Sequence, residues 1–328
     1  MHGLGPWVLR GALALAVTFG VATAAIAQTG DHASPRVLVD MGSAAPDGVF
    51  PRSVRHMFGE TVLEAAPQRI IVISTGQLDA AITLGIVPVG ATAGDNADIY
   101  PAYLGAAFPQ HIAAMAEVAN LGDRSGPNLE LIAQLRPDLI FMNQAVLQQD
   151  FFDTLSQIAP VVVTRGNGVN WKVDYLLLAQ ALGKGGEAQA FLDQFHADAD
   201  AFAANLPADP PSVSLLQSTG ARTRVMGVTS LGGGILEDLG LSRPRSQQFD
   251  KNSEDISLEL LDLADADWIF YGTNGTGDQA LQNAALWPSL SAVAADRAVA
   301  IDFDAFYLNT GPTAARVVLD TVIETLSE

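Results

Sequence analysis

The chain of 328 residues has no cysteine, which removes disulfide frameworks, thiolate metal sites, cysteine nucleophiles and lipid attachment through a cysteine. Basic residues are scarce as well. Seventeen Lys plus Arg face 36 Asp plus Glu, and the formal charge of −19 opposes the phosphate neutralisation on which nucleic-acid binding depends. No GxSxG elbow, HExxH pair or GxxxxGK[ST] loop occurs, so hydrolases and phosphate-loop enzymes have no signature here. His32, His56, His111 and His196 lie singly, without HxH or HxxxH spacing, and no zinc site is expected. Long apolar runs are lacking too, apart from one near the N-terminus that is shorter than the roughly 20 residues a bilayer span needs.

That run, residues 11–22, follows Arg10 and precedes Ala25-Ile26-Ala27. A positive start, an apolar stretch and a small-x-small site read as a secretory signal peptide covering residues 1–27, with Gln28 as the new N-terminus. A periplasmic location follows as an expectation. The remainder, in a chain 49% hydrophobic and 16% charged, is rich enough in apolar residues to fold around real cores.

Short apolar runs alternate with helical patterns. Ile70–Ile73 is β-branched on both faces, as in a buried parallel strand, and leads through QLDAAITLG to a strand at Val87–Gly90. Asn128 reads as the N-cap of LELIAQL, and the strand Asp138–Met142 follows. A helix over Asp150–Ile158 and a strand at Val161–Val163 complete a first α/β lobe, and Arg36–Met41 reads as an edge strand, with Glu60–Leu63 continuing a hairpin. Residues 170–206 are helical in character with breaks at Gly183 and Gly185-Gly186, and PADPP stops them. Strands at Val213–Leu216, Arg224–Gly227 and Trp268–Tyr271 alternate with helices at Ile235–Leu239 and Ser257–Leu263. Pro312 opens a last helix. The expected fold class is α/β, two Rossmann-like lobes (residues 28–185 and 207–328) bridged by one long helix, residues 186–206.

Gly232-Gly233-Gly234 and Asn274–Gly277 lack GxGxxG spacing and read as ordinary loop glycines. Arginines carry more information in so acidic a chain. Arg124 sits in a turn just before a helix, and a strand period of two places Arg222, Arg224 and Met226 on one face, so these cations are candidates for an anionic or oxygen-rich ligand.

The segments PQRIIVIS, QLDAAITLGIVPVGAT, LGDRSGPNLELIAQLRPDLIF and IAPVV, followed by GGGILEDLGL, DISLELLDLADADWIFYG and ALWPSLSAVAADRAVAIDFDAFY, resemble the periplasmic solute-binding proteins that deliver ferric siderophores, vitamin B12 or haem to ABC importers. The likeness is greatest to the ferric-hydroxamate binders. It implies a helical-backbone periplasmic binding protein, not an enzyme, that captures a ferric siderophore between its lobes, with B12 or haem as the alternative cargo. It further implies an ABC permease with its cytoplasmic ATPase as partner, a monomeric state, no resident cofactor, and iron held by the chelator's own oxygens. By the same resemblance Arg124 and Tyr307 contact the ligand, and Glu130 and Glu237 dock the two lobes to permease arginines, each from the first turn of a helix. The likeness departs at Gln144-Ala145-Val146, where the family has a tyrosine, and near Lys251, where it has a tryptophan. Arg222, Arg224 and Lys251 could then neutralise an anionic catecholate or carboxylate complex, with Trp171 and Trp287 as further cleft aromatics.

Overall fold

The computed structural model describes residues 35–94, 99–145 and 148–327; the signal-peptide reading, residues 1–27, lies outside them. A small antiparallel hairpin comes first, β1 (Arg52–His56) against β2 (Gly59–Leu63). The hairpin partner of Glu60–Leu63 is thus not Arg36–Met41. That segment forms no strand and leaves Val37 and Val39 exposed; an isolated bridge follows it, from Gly42 to Arg55. The strand β1 has no apolar run to announce it: its inward positions are Arg52, Val54 and His56.

The first lobe is a five-stranded sheet in the order β5-β4-β3-β6-β7, parallel throughout: β3 (Ile70–Val72), β4 (Gly90–Ala93), β5 (Ala119–Asp123), β6 (Leu139–Asn143) and β7 (Val161–Thr164). Its central strands are buried on both faces, as their unbroken apolar character requires. The strand β4 begins where the Val87–Gly90 reading ended, since Pro88 has no N–H to give a ladder. The Leu129–Gln134 helix is capped as expected, the Asn128 side chain accepting the Leu131 N–H at 3.0 Å.

The second lobe repeats the order of positions as β10-β9-β8-β11-β12: β8 (Val213–Ser218), β9 (Thr223–Met226), β10 (Ser253–Ile256), β11 (Trp268–Thr273) and β12 (Ala298–Ala300). Here β8, β11 and β12 run parallel, whereas β9 is antiparallel to both its neighbours. Residues Leu258–Ala264 form 3₁₀ turns with a kink at Leu260 instead of the helix read there.

Between the sheets the chain forms two helices, Trp171–Leu182 and Gly185–Ala203, parted at Gly183, whose φ of +74° suits glycine. The longer helix buries Ala188, Leu192, Phe195 and Ala199 along one stripe, and Phe195 meets the Trp171 ring edge-on at 5.0 Å. The last helix, Pro312–Ser327, returns to the first lobe. Fully buried Asp79 accepts the Thr313 and Ala314 N–H groups at 2.8 and 2.9 Å and the Tyr103 hydroxyl at 2.9 Å, capping a helix 234 residues away. This cap and the bonds below tie the lobes together at more than one point.

Candidate ligand cleft

A cleft of about 700 Å³ lies between the lobes, lined chiefly from the carboxyl ends of their parallel strands. Every strand of the first sheet delivers a residue: Ser74 and Thr75 after β3, Gly94 after β4, Arg124 after β5, Asn143 and Ala145 at the end of β6, and Asn167 and Gly168 after β7. The second lobe contributes Gln217 and Thr219 from β8, Arg224 from β9, Asn274 and Gly275 after β11, and Phe303 and Tyr307 after β12, with Asn252 just ahead of β10. Parallel strands point their ends at one edge of the sheet, so open α/β sheets bind ligands there.

The lining holds two arginines, one from each lobe, and no carboxylate among the described residues. Around them stand neutral donors and acceptors, chiefly Asn143, Asn252, Asn274, Gln217 and the hydroxyls of Ser74, Thr75, Thr219 and Thr310. Arg224 is held at its base by Asp255 on β10, 3.3 Å from its Nε. Tyr307 offers its ring only. Its hydroxyl donates to the Leu216 and Phe270 carbonyls at 3.0 and 3.1 Å, and burial raises its pKa, so it stays a neutral donor tied to β8 and β11. Gly272 leaves room for that ring, since a Cβ there would come within 2.7 Å of Tyr307 Cε2.

The structure brings together Arg124, Arg224 and Tyr307 from the expected set and places the others off the cleft lining. Arg222 does share a face with Arg224, but it is spent on Asp255 at 2.6 Å. Lys251 points to Glu254 at 2.8 Å and is largely exposed. Trp171 is 2% exposed, packed under the cleft rather than in it, and half-buried Trp287 packs edge-on against Tyr271 at 5.1 Å, against the core of the second lobe. The neutral amides and hydroxyls were not singled out from sequence. A signal existed: they are the first polar residues after the runs IIVI, LIFM and VSLL, where parallel strands end.

Glu130 is exposed in the first turn of its helix, where a carboxylate favours the positive end of the helix dipole. Glu237 is not so placed. Its helix runs Leu231–Asp238 from the N-cap Ser230, which puts Glu237 in the last turn; three glycines hid the true start. The strand order supplies a different counterpart. As β6 stands in the first sheet, so β11 stands in the second, and the segments leading into them, NLELIAQLRPDLIF and SLELLDLADADWIF, align without a gap and are identical at Leu129-Glu130-Leu131 and Leu258-Glu259-Leu260. Glu259 lies in the first turn after Ser257, exposed, with its pKa lowered by the Ser257 side chain.

A family model described as periplasmic binding protein matches residues 70–305. The chain belongs to this family. The family is one of binding proteins. Its relatives include the probable siderophore-binding lipoprotein YfiY of Bacillus subtilis, 31% identical over 289 residues, covering 83% of this chain and 86% of that protein. The Fe(3+) dicitrate-binding periplasmic protein FecB of Escherichia coli is 25% identical, covering 83% of this chain and 90% of FecB. Among solved structures, Staphylococcus aureus SirA complexed with staphyloferrin B superposes with a TM-score of 0.72 at 26% identity, over 84% of this chain and 98% of SirA. The two-lobed α/β fold expected from sequence is the fold of this family.

Proposed function

We propose that this protein is the extracytoplasmic substrate-binding component of an ABC importer and captures a ferric siderophore of the carboxylate class in the interlobe cleft. The observation that carries the reading is the pair Arg124 and Arg224, set on opposite lobes of one cleft with no carboxylate in its described lining. A guanidinium pairs a carboxylate through two parallel bonds, and a cation from each lobe makes the ligand itself the bridge between lobes. The surrounding amides and hydroxyls suit the free carboxylates and hydroxyls of such a chelate. Aromatic catechol rings would ask for more ring surface than Phe303 and Tyr307 give. The named cargo of FecB is ferric dicitrate, and that of the SirA complex is staphyloferrin B. His56, His111 and His196 stand outside the cleft lining, which gives haem no imidazole there, and the iron is held by the chelator's own oxygens.

On this reading the signal peptide sends the chain to the periplasm, where it works as a monomer and hands cargo to a permease driven by a cytoplasmic ATPase. Glu130 and Glu259 are the docking pair, in place of Glu130 and Glu237.

The test is a titration of residues 28–328 with ferric citrate, a ferric hydroxamate, a ferric tris-catecholate, cobalamin and haem, followed by quenching of Trp171, Trp268 and Trp287. Saturable quenching by ferric citrate is expected, weakened roughly 10- to 100-fold in Arg124→Ala and in Arg224→Ala, as loss of a charged hydrogen bond worth about 1.5–3 kcal/mol implies. Saturation by the tris-catecholate alone would move the cargo class, and by cobalamin or haem alone would overturn the siderophore reading.

A further inference from the structure

The turn after β7 touches both the cleft and the opposite lobe. Asn167 and Gly168 line the cleft. Gly168 packs so closely on the second lobe that a Cβ would come within 2.2 Å of the Leu231 nitrogen, and the Val169 N–H donates to the Thr229 carbonyl at 3.0 Å. Gly166 abuts Asn143, itself a cleft residue, leaving no room for a side chain. The turn carries left-handed backbone at Gly166 (φ +78°) and Asn167 (φ +67°), a conformation that a non-glycine residue holds only when its surroundings fix it.

Two side chains hold it, Asp174 and Asn170. Asp174, on the following helix, accepts the Arg165 N–H at 2.8 Å and the Gly166 N–H at 2.7 Å, one on each oxygen. Asn170 adds a bond from its Nδ2 to the Gly166 carbonyl at 2.7 Å. Asp174 also borders a chamber of about 20 Å³ beneath the cleft, a volume sufficient for one water. Ser74, Asn143 and Thr310 belong to both chamber and cleft, and Trp171, which also lines the chamber, has a buried Nε1 with no hydrogen-bond partner.

We propose that Asp174 is the positioning residue of the cleft: its carboxylate holds the Arg165–Gly168 turn against both lobes, and a proton on it loosens the turn and weakens cargo binding. The geometry supplies the mechanism. Charge-assisted bonds to amides are about twice as strong as neutral ones, so protonation at either oxygen slackens the grip on Arg165 and Gly166. Burial pushes the Asp174 pKa up to about 7, against the pull of those two amides and of the Arg165 charge. Of the other residues around the chamber, Ser74, Gln77, Asn143, Thr164 and Thr310 carry no charge, and Tyr175, on Asp174's own helix, is kept neutral by burial. Arg165 is therefore the charged group that Asp174 answers to.

The cargo half of the proposal rests on the function proposed above; the turn itself is tested without cargo. In ligand-free residues 28–328, the amide resonances of Arg165 and Gly166 and the Trp171 indole resonance are followed from acid to alkaline pH. A shared midpoint near 7, absent in Asp174→Asn, is expected, together with a ferric citrate affinity that falls roughly three- to tenfold on acidification in the wild type. In Asp174→Asn the residual pH profile is that of the chelate alone. Amides of Arg165 and Gly166 that do not titrate in the wild type overturn the proposal, and need no variant to fold. So does a wild-type affinity profile retained in Asp174→Asn. If no ferric chelate binds, the function fails while the amide midpoint still decides the role of Asp174.

Discussion

Lys172 Nζ and the Asp238 carboxylate meet at 2.5 Å, joining the Trp171–Leu182 helix of the first lobe to the last residue of the Leu231–Asp238 helix in the second. The lysine side chain is wholly buried and lies 5.7 Å from the ring centres of Trp171 and Phe195, while Arg36 reaches Asp238 from the surface at 3.1 Å. Burial lowers the lysine pKa, and Asp238 opposes that shift most, with a smaller contribution from Glu237, so the ammonium depends chiefly on Asp238. Asp238→Ala leaves a buried cation without its partner and is expected to cost about 3–5 kcal/mol in urea unfolding. The pair itself need not stabilise, because desolvating two ions offsets most of their attraction. Lys172→Met combined with Asp238→Leu should therefore recover most of the loss, and a double variant as unstable as the single one would contradict this.

Tyr307 separates two roles that one ring usually mixes. Its hydroxyl is bound to two strand carbonyls and its ring lines the cleft. Tyr307→Phe is expected to lower stability by about 1–2 kcal/mol while leaving the cargo dissociation constant nearly unchanged. Tyr307→Ala removes the ring and should weaken cargo binding strongly. Equal losses of affinity in both variants would mean that the hydroxyl reaches the ligand.

Two histidines set the acid side of stability. His56 bonds to Thr61 at 2.9 Å, and burial lowers its pKa to about 4; His196, beside Lys172 and Arg36, is lowered to about 4 by burial and by those charges. Unfolded, each takes up a proton near pH 6.5. Between about 6.5 and 4 the unfolded chain binds more protons than the folded one, so stability falls as pH falls through that window. Asp174 acts with the opposite sign, since its raised folded pKa favours the folded state on the acid side of 7. Thermal unfolding across pH 4–7 should thus decline less steeply in His56→Gln/His196→Gln than in the wild type, and an unchanged slope would acquit both histidines.

The sequence disclosed what rests on apolar burial and hid what rests on particular polar pairings. The runs IIVI, LIFM and VVV could only be strands covered on both faces, and Gly183 could only be a break between helices. The strand β1 stayed hidden because its inward Arg52 is stabilised by the carbonyls of Val49, Pro46 and Gln180, partners that local periodicity does not contain. Arg222 and Lys251 looked like ligand cations because only the folded β9–β10 pairing brings Asp255 to Arg222, and Glu254 three residues on claims Lys251. Arg124 was legible as a cation in the turn just ahead of a helix, whereas Asn143, Gln217 and Asn274 stand at strand ends without a charge to draw the eye.

The docking pair is the reading on which sequence likeness and structural equivalence part. Glu237 closes a helix that starts at an interlobe contact, whereas Glu130 and Glu259 both open the segment that feeds the strand beside the central one of their sheet. Equivalent positions on two lobes are what a permease with two matching arginine patches would engage, and exposed carboxylates at such rims act through encounter and register more than through fold stability. Glu130→Ala/Glu259→Ala is therefore expected to bind ferric citrate with wild-type affinity and to lose association with the importer in proteoliposomes, and Glu237→Ala to retain both. Removal of each charge should weaken association most at low salt, the double variant showing the shallower salt dependence. Loss of docking in Glu237→Ala with retention in Glu259→Ala would return the role to Glu237 and show that the equivalence of the two sheets does not extend to the surface the permease reads.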